Sequence, residues 1–285
     1  MTNYLLYLAA GSTHTVNECQ YSLLKYLAVY NLKPPPDIGI IVYTDVPATF
    51  EAFEAFFNQF ELKEVKSVVP FKLEILKEVL SLKQGNILFV NTDTYFIAPI
   101  DVAFQTLQAG NFIFYKHKVT IDNDLSEFQK IKDHLSKNTI EVKGEKISYL
   151  PGKDFYSTEI IGANSAGVSL IQNMCSLYSE LSRHSSAEAS EAFACTYYAS
   201  NSGVQIMDNQ IISYHNFPQF KNLLQLFFKK NEEESIPNLV KLAHHIDAKT
   251  ILQEKKYYDS QPFVKKLLSA LTGKAWSVRQ YQNKF

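Results

Sequence analysis

Three short, unbroken apolar runs, each cut off by small or polar residues, constrain this chain's fold more than any other feature. They are Tyr4 to Ala10, Ile38 to Tyr43 and Ile87 to Val90. Apolar runs this short that do not alternate with polar residues describe strands buried on both faces, as in a parallel sheet covered by helices on either side. Between them the apolar spacing becomes helical. Tyr21, Leu23, Leu24, Leu27 and Ala28 form one such set within Val16 to Tyr30, and Leu73, Leu76, Val79 and Leu80 another within Phe71 to Leu82. A helix is also expected over Phe50 to Phe60 and a short strand over Val65 to Val69, with Gly85 as a helix C-cap. Strands alternating with helices of this size predict βαβ units and a doubly wound α/β sheet.

After Asp101 the pattern loosens. Phe112 to Tyr115 reads as a strand, Asp122 to Ser148 as a polar surface excursion, and Gly162 to Val168 as a tight small-residue turn. Met174 to Leu181 and Ser186 to Tyr198 have helical spacing, and Ile211 to Tyr214 is a short strand ending at His215. From Phe217 onward the chain is helical, with faces at Phe220, Leu223, Leu224, Phe227 and Phe228, over Pro237 to His245, and over Pro262 to Lys274. The expected organisation is one α/β domain over residues 1–230 with a helical extension over 231–285.

A net charge of −1 argues against binding nucleic acid through bulk electrostatics. Three cysteines (Cys19, Cys175, Cys195) without CxxC spacing suggest neither a disulfide framework nor a zinc knuckle, and point to a reducing compartment. The first residues lack a basic leader and are too short an apolar run to span a bilayer, so a cytoplasmic protein is expected.

The strand ends carry the chemistry, since ligands of open α/β sheets bind beyond the carboxyl ends of the strands. The first strand ends in Ala10-Gly11-Ser12, where backbone can approach a ligand closely. The second ends in Tyr43-Thr44-Asp45, an aromatic ring and a carboxylate suited to a base and a ribose. The third ends in Asn91-Thr92-Asp93, where a carboxylate can hold a hard cation against a phosphate. Each also has a plainer reading. Asp93 fits a capping carboxylate, Asn91 a turn residue, Asp45 a loop cap, His215 a half-buried histidine bonded to backbone, and Lys72 a solvated lysine. Neighbouring His244 and His245 cannot both face one ion from a helix.

In this order the features resemble the GT-A glycosyltransferases, particularly bacterial relatives of the glycogenin-like retaining family. The matching phrase is Leu88-Phe89-Val90-Asn91-Thr92-Asp93-Thr94-Tyr95-Phe96, against a family phrase of the form LD-x-D-TYF. The resemblance covers roughly Asn3 to Lys230. It implies a GT-A-like fold and transfer of a sugar from a nucleotide diphosphate sugar to a glycan or lipid-linked glycan. It also implies Mn²⁺ or Mg²⁺ held by Asn91, Asp93 and His215, with Thr92 and Lys72 near the phosphates. Asn164, in Asn164-Ser165-Ala166-Gly167-Val168, would face the sugar, and Glu191 stands where the family has an acidic residue followed by Gln. The chain departs from the pattern at Asn91, which is uncharged, at Ala192 in place of Gln, and by one inserted residue after Asn164.

Two rival readings follow from the same residues. A silent binding protein that keeps the fold is favoured by Asn91 and Ala192. A haloacid-dehalogenase-type phosphatase would need Asp at position 91 as its nucleophile, and Asn cannot serve. At the end of the chain, residues 253–285 hold seven basic and two acidic side chains beside an apolar stripe. Docking on the main domain and peripheral contact at the inner face of a membrane both produce that pattern.

Overall fold

The computed structural model describes residues 2–66, 71–120, 126–150, 154–215, 217–272 and 275–285, with backbone alone at 117–120, 154, 279 and 283. The strands are β1 Asn3–Ala9, β2 Ile38–Thr44, β3 Phe60–Glu64, β4 Asn86–Val90, β5 Thr94–Phe96, β6 Phe112–Phe114, β7 His117–Thr120, β8 Ile140–Val142, β9 Glu145–Ile147, β10 Asp154–Tyr156, β11 Ile160–Asn164, β12 Val204–Ile206 and β13 Ile211–Ser213. The helices are α1 Thr13–Val29, α2 Lys72–Lys83, α3 Asp101–Gln108, α4 Ser126–Lys137, α5 Val168–Leu181, α6 Ala187–Ala199, α7 Pro218–Lys230, α8 Ile236–Ala243, α9 Ala248–Asp259 and α10 Phe263–Leu271.

Seven strands form one sheet in the order β12-β6-β11-β4-β1-β2-β3. Only β11 runs against the rest, pairing antiparallel with both β4 and β6. This is a mixed, mostly parallel α/β sheet of the Rossmann-like kind. Side chains alternate between its faces as the strand period requires. Leu5, Tyr7, Ile40, Val42, Leu88 and Val90 enter a core with α1, α3, α7 and α8. Tyr4, Leu6, Ile41, Tyr43, Ile87 and Phe89 enter a second core with α2, α4, α5 and α6.

Several local expectations change. Pro47–Phe56 is a 3-10 helix rather than an α-helix, and the chain is already in β3 at Phe60. A strand over Val65 to Val69 does not form at Val65 and Lys66, and residues 67–69 lie outside the described residues. Helix α2 ends on Gln84 in the left-handed region (φ 48), so Gln84 and not Gly85 makes the cap. The span from Asp122 to Ser148 is more than surface. Its described part contains α4, which buries Phe128 and Ile131 in the second core, and the β8–β9 hairpin.

The largest difference concerns Gly162 to Val168. Its first half is not a turn but the buried strand β11, and the turn is confined to Ser165–Gly167. Glycine is required at 162 for packing: a Cβ there would stand 2.8 Å from the Ile113 Cβ on β6 and 3.1 Å from Leu88 Cδ1 on β4.

The C-terminal residues divide. Ile236, Leu239, Ala243, Ile246, Ala248 and Ile251 join the α1 core, as do Tyr281 and Phe285. Helix α9, absent from the sequence reading, is capped by Asp247, which accepts from Thr250 N at 2.9 Å and also from the Tyr95 hydroxyl. Helix α10 buries none of its residues. None of the helices among the described residues is long and apolar enough to cross a membrane.

Candidate functional site

Because β1, β2 and β4 are parallel, their carboxyl ends share one edge of the sheet. Antiparallel β11 begins at that edge, and two groups of residues assemble there. The first joins β1 to β2. Gly11 takes φ 88, in the left-handed region that favours glycine, and its amide donates to Asp45 Oδ2 at 3.0 Å. Ser12 caps α1 by accepting from Thr15 N at 3.1 Å, and Ala10 is buried. Tyr43 lies at this edge, but its side chain turns away from the Gly11–Asp45 group. Its ring lies in the second core and its hydroxyl donates to Glu78 Oε1 of α2 at 3.1 Å, so it does not present a face for a base to stack on.

The second group surrounds the turn after β4. The Asn91 amide donates to the Glu159 carbonyl at 2.8 Å, and the Asn91 carbonyl accepts from Thr94. That turn holds Asp93 buried while Thr92 packs beside it. The Tyr214 amide donates to the Asp93 carbonyl at 3.0 Å, tying the end of β13 to the turn. His215 is thereby placed with Nδ1 2.8 Å from Asp93 Oδ2 across 122 residues of sequence. The hydrogen bond to Asp93 raises the His215 pKa above the usual imidazole value, against the effect of partial burial.

Lys72, at the start of α2, reaches into the same place. Its ammonium donates to the Thr158 carbonyl at 2.7 Å and to Asn91 Oδ1 at 3.5 Å, and lies 2.7 Å from Glu191 Oε1 on α6. The contact with Glu191 is an ion pair rather than an aligned hydrogen bond. A 220 Å³ cavity is lined by these residues together with Glu159, Ala187, Glu188 and His215. Of the residues singled out in the sequence, the fold brings Lys72, Asn91, Thr92, Asp93, Glu191 and His215 together. Ala10, Gly11, Ser12 and Asp45 lie along the same edge.

Asn164 does not belong to the site. Because β11 is antiparallel to β4, Asn164 pairs with Asn86, where β4 begins, and Ile160 pairs with Val90. Four residues of strand put Asn164 about 13 Å away, at the other edge of the sheet. It is buried there, donating to the Leu107 carbonyl at 2.8 Å. The residues β11 does place at the site are Thr158 and Glu159, just before the strand. Neither carries a sequence signal of its own, because the small residues at 162–164 do not read as a strand that would present them at the site.

A third missed residue is Glu18. It is buried on α1, paired with Lys221 of α7 at 3.0 Å, and near enough to feel the charges of Asp93 and His215. Burial pushes its pKa up to about 7 despite Lys221.

Oxygen donors predominate here, although among the described residues no three His, Cys, Asp or Glu ligand atoms of this cavity lie within 4.8 Å of one another. Asp93, Glu159, Glu188 and Glu191 outnumber Lys72 and His215, and Glu159 Oε2 is buried without a hydrogen-bond partner. Carboxylate and amide oxygens with one imidazole are ligands acceptable to Mn²⁺ or Mg²⁺. A different group, His134, Glu180 and His184, has its ligand atoms within 4.8 Å of one another and shares no lining residue with this cavity. No protein-family model matches the chain, and no curated protein matches it as a relative.

Proposed function

We propose that this chain is a glycosyltransferase of the GT-A type. It would move a sugar from a nucleotide diphosphate sugar to a glycan or lipid-linked glycan acceptor. The observation that carries the reading is the meeting of Asp93 and His215, with Asn91 and Lys72 beside them, at the carboxyl end of β4. A mixed, mostly parallel sheet with helices on both faces is the architecture that the family resemblance implies. The local excess of carboxylates repels a diphosphate unless a cation intervenes, so the residues fit Asp93, His215 and Asn91 as holders of Mn²⁺ or Mg²⁺. Such a cation, when bound, stabilises the charge that develops on the departing diphosphate.

The chain's own groups have distinct tasks in this reading. Glu191 and the Thr158 carbonyl fix the Lys72 ammonium, which then faces a phosphate oxygen without reorganising. Asp93 orients the His215 ring through Nδ1. A 220 Å³ cavity is below the roughly 300–1,000 Å³ of complete ligand sites, so it holds the diphosphate and sugar end while the nucleoside extends along the edge toward Gly11 and Asp45. Asn164 and Tyr43 have no part in it. Residues 122–155, the acceptor side in this reading, lie partly outside the described residues.

A silent nucleotide-sugar binder is the second reading, and a specific observation favours it. Asn91 brings no charge, and the one lysine of the site is already neutralised by Glu191. Thermal stabilisation by a panel of nucleotide diphosphate sugars, with and without Mn²⁺, separates the two. A ligand at 100 times its dissociation constant adds about 2.7 kcal/mol. The transferase reading expects stabilisation by one nucleotide class that needs Mn²⁺, is lost in Asp93→Ala, and is accompanied by release of the nucleotide diphosphate. Metal-independent binding without turnover supports the binder, and no binding under either condition removes both.

A further inference from the structure

Among the described residues, the apolar face of helix α10 is left exposed. Phe263, Val264, Leu267, Leu268 and Leu271 are 77, 66, 49, 56 and 76 % exposed. Among the described residues, five of the eleven exposed large apolar side chains lie on this one nine-residue helix. Such clustering is unlike the single exposed apolar residues that any protein surface carries.

The helix is not a frayed end. Before it, Ile251 on α9 is buried in the α1 core; after it, Trp276 and Val278 pack against that core and Tyr281 and Phe285 are buried in it. The chain is therefore anchored on both sides of α10 and presents it outward between them.

Its side chains are arranged for a flat interface with anionic groups. At about 100° per residue, the five apolar side chains fall within an arc of about 140°. Lys265 and Lys266 lie about 60° beyond its two edges, where long aliphatic stems can follow a surface while the ammonium groups meet its charges. Charge along the chain is also uneven. Residues 253–285 carry a net of +5 within a chain of net −1, which leaves −6 on the remainder. Exposed Tyr257 and half-buried Tyr258 and Trp276 line an open 450 Å³ hollow between α9 and the C-terminal 3-10 turn, and aromatic rings of this kind favour the headgroup level of a bilayer.

We propose that α10 is an in-plane membrane anchor. Its apolar stripe enters the headgroup boundary of an anionic bilayer, while Lys265 and Lys266 contact lipid phosphates. This inference does not depend on the chemistry of the cavity near Asp93.

The test is co-sedimentation of the full chain with vesicles of phosphatidylcholine alone and with about 30 % phosphatidylglycerol, at physiological ionic strength. The wild-type chain pellets with the anionic vesicles and little with the neutral ones. Leu267→Glu with Leu271→Glu and Lys265→Glu with Lys266→Glu each lower the bound fraction more than tenfold. The leucine pair leaves the thermal midpoint unchanged, since no residue of α10 is buried, and the lysine pair gives up only the exposed hydrogen bond from Lys266 to the Asp259 carbonyl. Failure of the wild type to pellet with anionic vesicles overturns the proposal, as does equal pelleting by the leucine variant. Light scattering that finds a dimer, dispersed by the leucine substitutions, overturns it in favour of a second copy on the same face.

Discussion

Replacing Lys72 with methionine keeps the length of the side chain and removes its charge. Lys72 and Glu191 are 14 and 8 % exposed and 2.7 Å apart, so the pair is buried. Taking one partner from such a pair leaves an uncompensated carboxylate and costs about 3–5 kcal/mol. An exposed pair would cost about 0–1 kcal/mol. The Thr158 carbonyl and Asn91 Oδ1 lose the same donor, while the cavity wall lets water reach part of Glu191. Those effects oppose each other, and the expected loss is about 3 kcal/mol. Urea unfolding followed by circular dichroism reads it as a lower midpoint at unchanged slope. Adding Glu191→Gln removes the stranded charge, so the double variant recovers most of the loss. A single-variant loss below about 1 kcal/mol, or a double variant that merely sums the two single losses, would refute a buried, coupled pair.

Three further outcomes follow from other parts of the structure. Burial raises Glu18 from 4.5 to about 7. The stability tied to its protonated form is complete below about pH 4.5 and is lost as pH rises through about 7, with an upper bound of about 3 kcal/mol. Glu18→Gln should flatten that decline in denaturation measured from pH 5 to 8, and an unchanged profile would assign the decline to other groups. Asp93→Asn should lower the His215 pKa toward 6.5 in an NMR titration, because Asp93 is the main cause of its elevation; no movement would mean that the pair does not persist in solution. The stability linked to His215 is complete below about 6.5 and is lost as pH rises through its raised folded value. Gly162→Ala presses a methyl group against Ile113 and Leu88 and should cost about 1–3 kcal/mol in the same unfolding assay, and a neutral result would mean that the sheet yields there.

The central parallel strands were legible in the sequence, but most of the shorter strands and the direction of β11 were not. Tyr4 to Ala10, Ile38 to Tyr43 and Ile87 to Val90 read as buried strands because two-sided burial leaves continuous apolar runs, and β1, β2 and β4 lie there within one or two residues. Ile160–Asn164 is buried to the same degree yet carries Gly162, Ala163 and Asn164. Those small residues serve close packing against β6 and β4, and packing partners distant in sequence leave no local period. Helix α9 escaped for a similar reason. Only Ala248 and Ile251 of its twelve residues are buried, too few for a helical stripe.

The direction of β11 also decides which residues form the site. A parallel strand would have brought Asn164 to the edge that carries Asn91; the antiparallel one brings Thr158 and Glu159 and sends Asn164 to the far side. The resulting cavity draws on α2, the turn after β4, the approach to β11, the start of α6 and the end of β13. Of these, only the turn after β4 carried a motif that could be read by itself. Lys72, Glu191 and His215 are single residues, and the plainer readings of Lys72 as a solvated lysine and His215 as a half-buried histidine bonded to backbone are local ones. Their significance rests on three distances, 2.7 Å from Lys72 to Glu191, 2.7 Å from Lys72 to the Thr158 carbonyl and 2.8 Å from His215 to Asp93. Asn91 matters for the same reason. In a site already crowded with Asp93, Glu159, Glu188 and Glu191, an amide at position 91 gives the Lys72 ammonium an acceptor oxygen without a fifth negative charge.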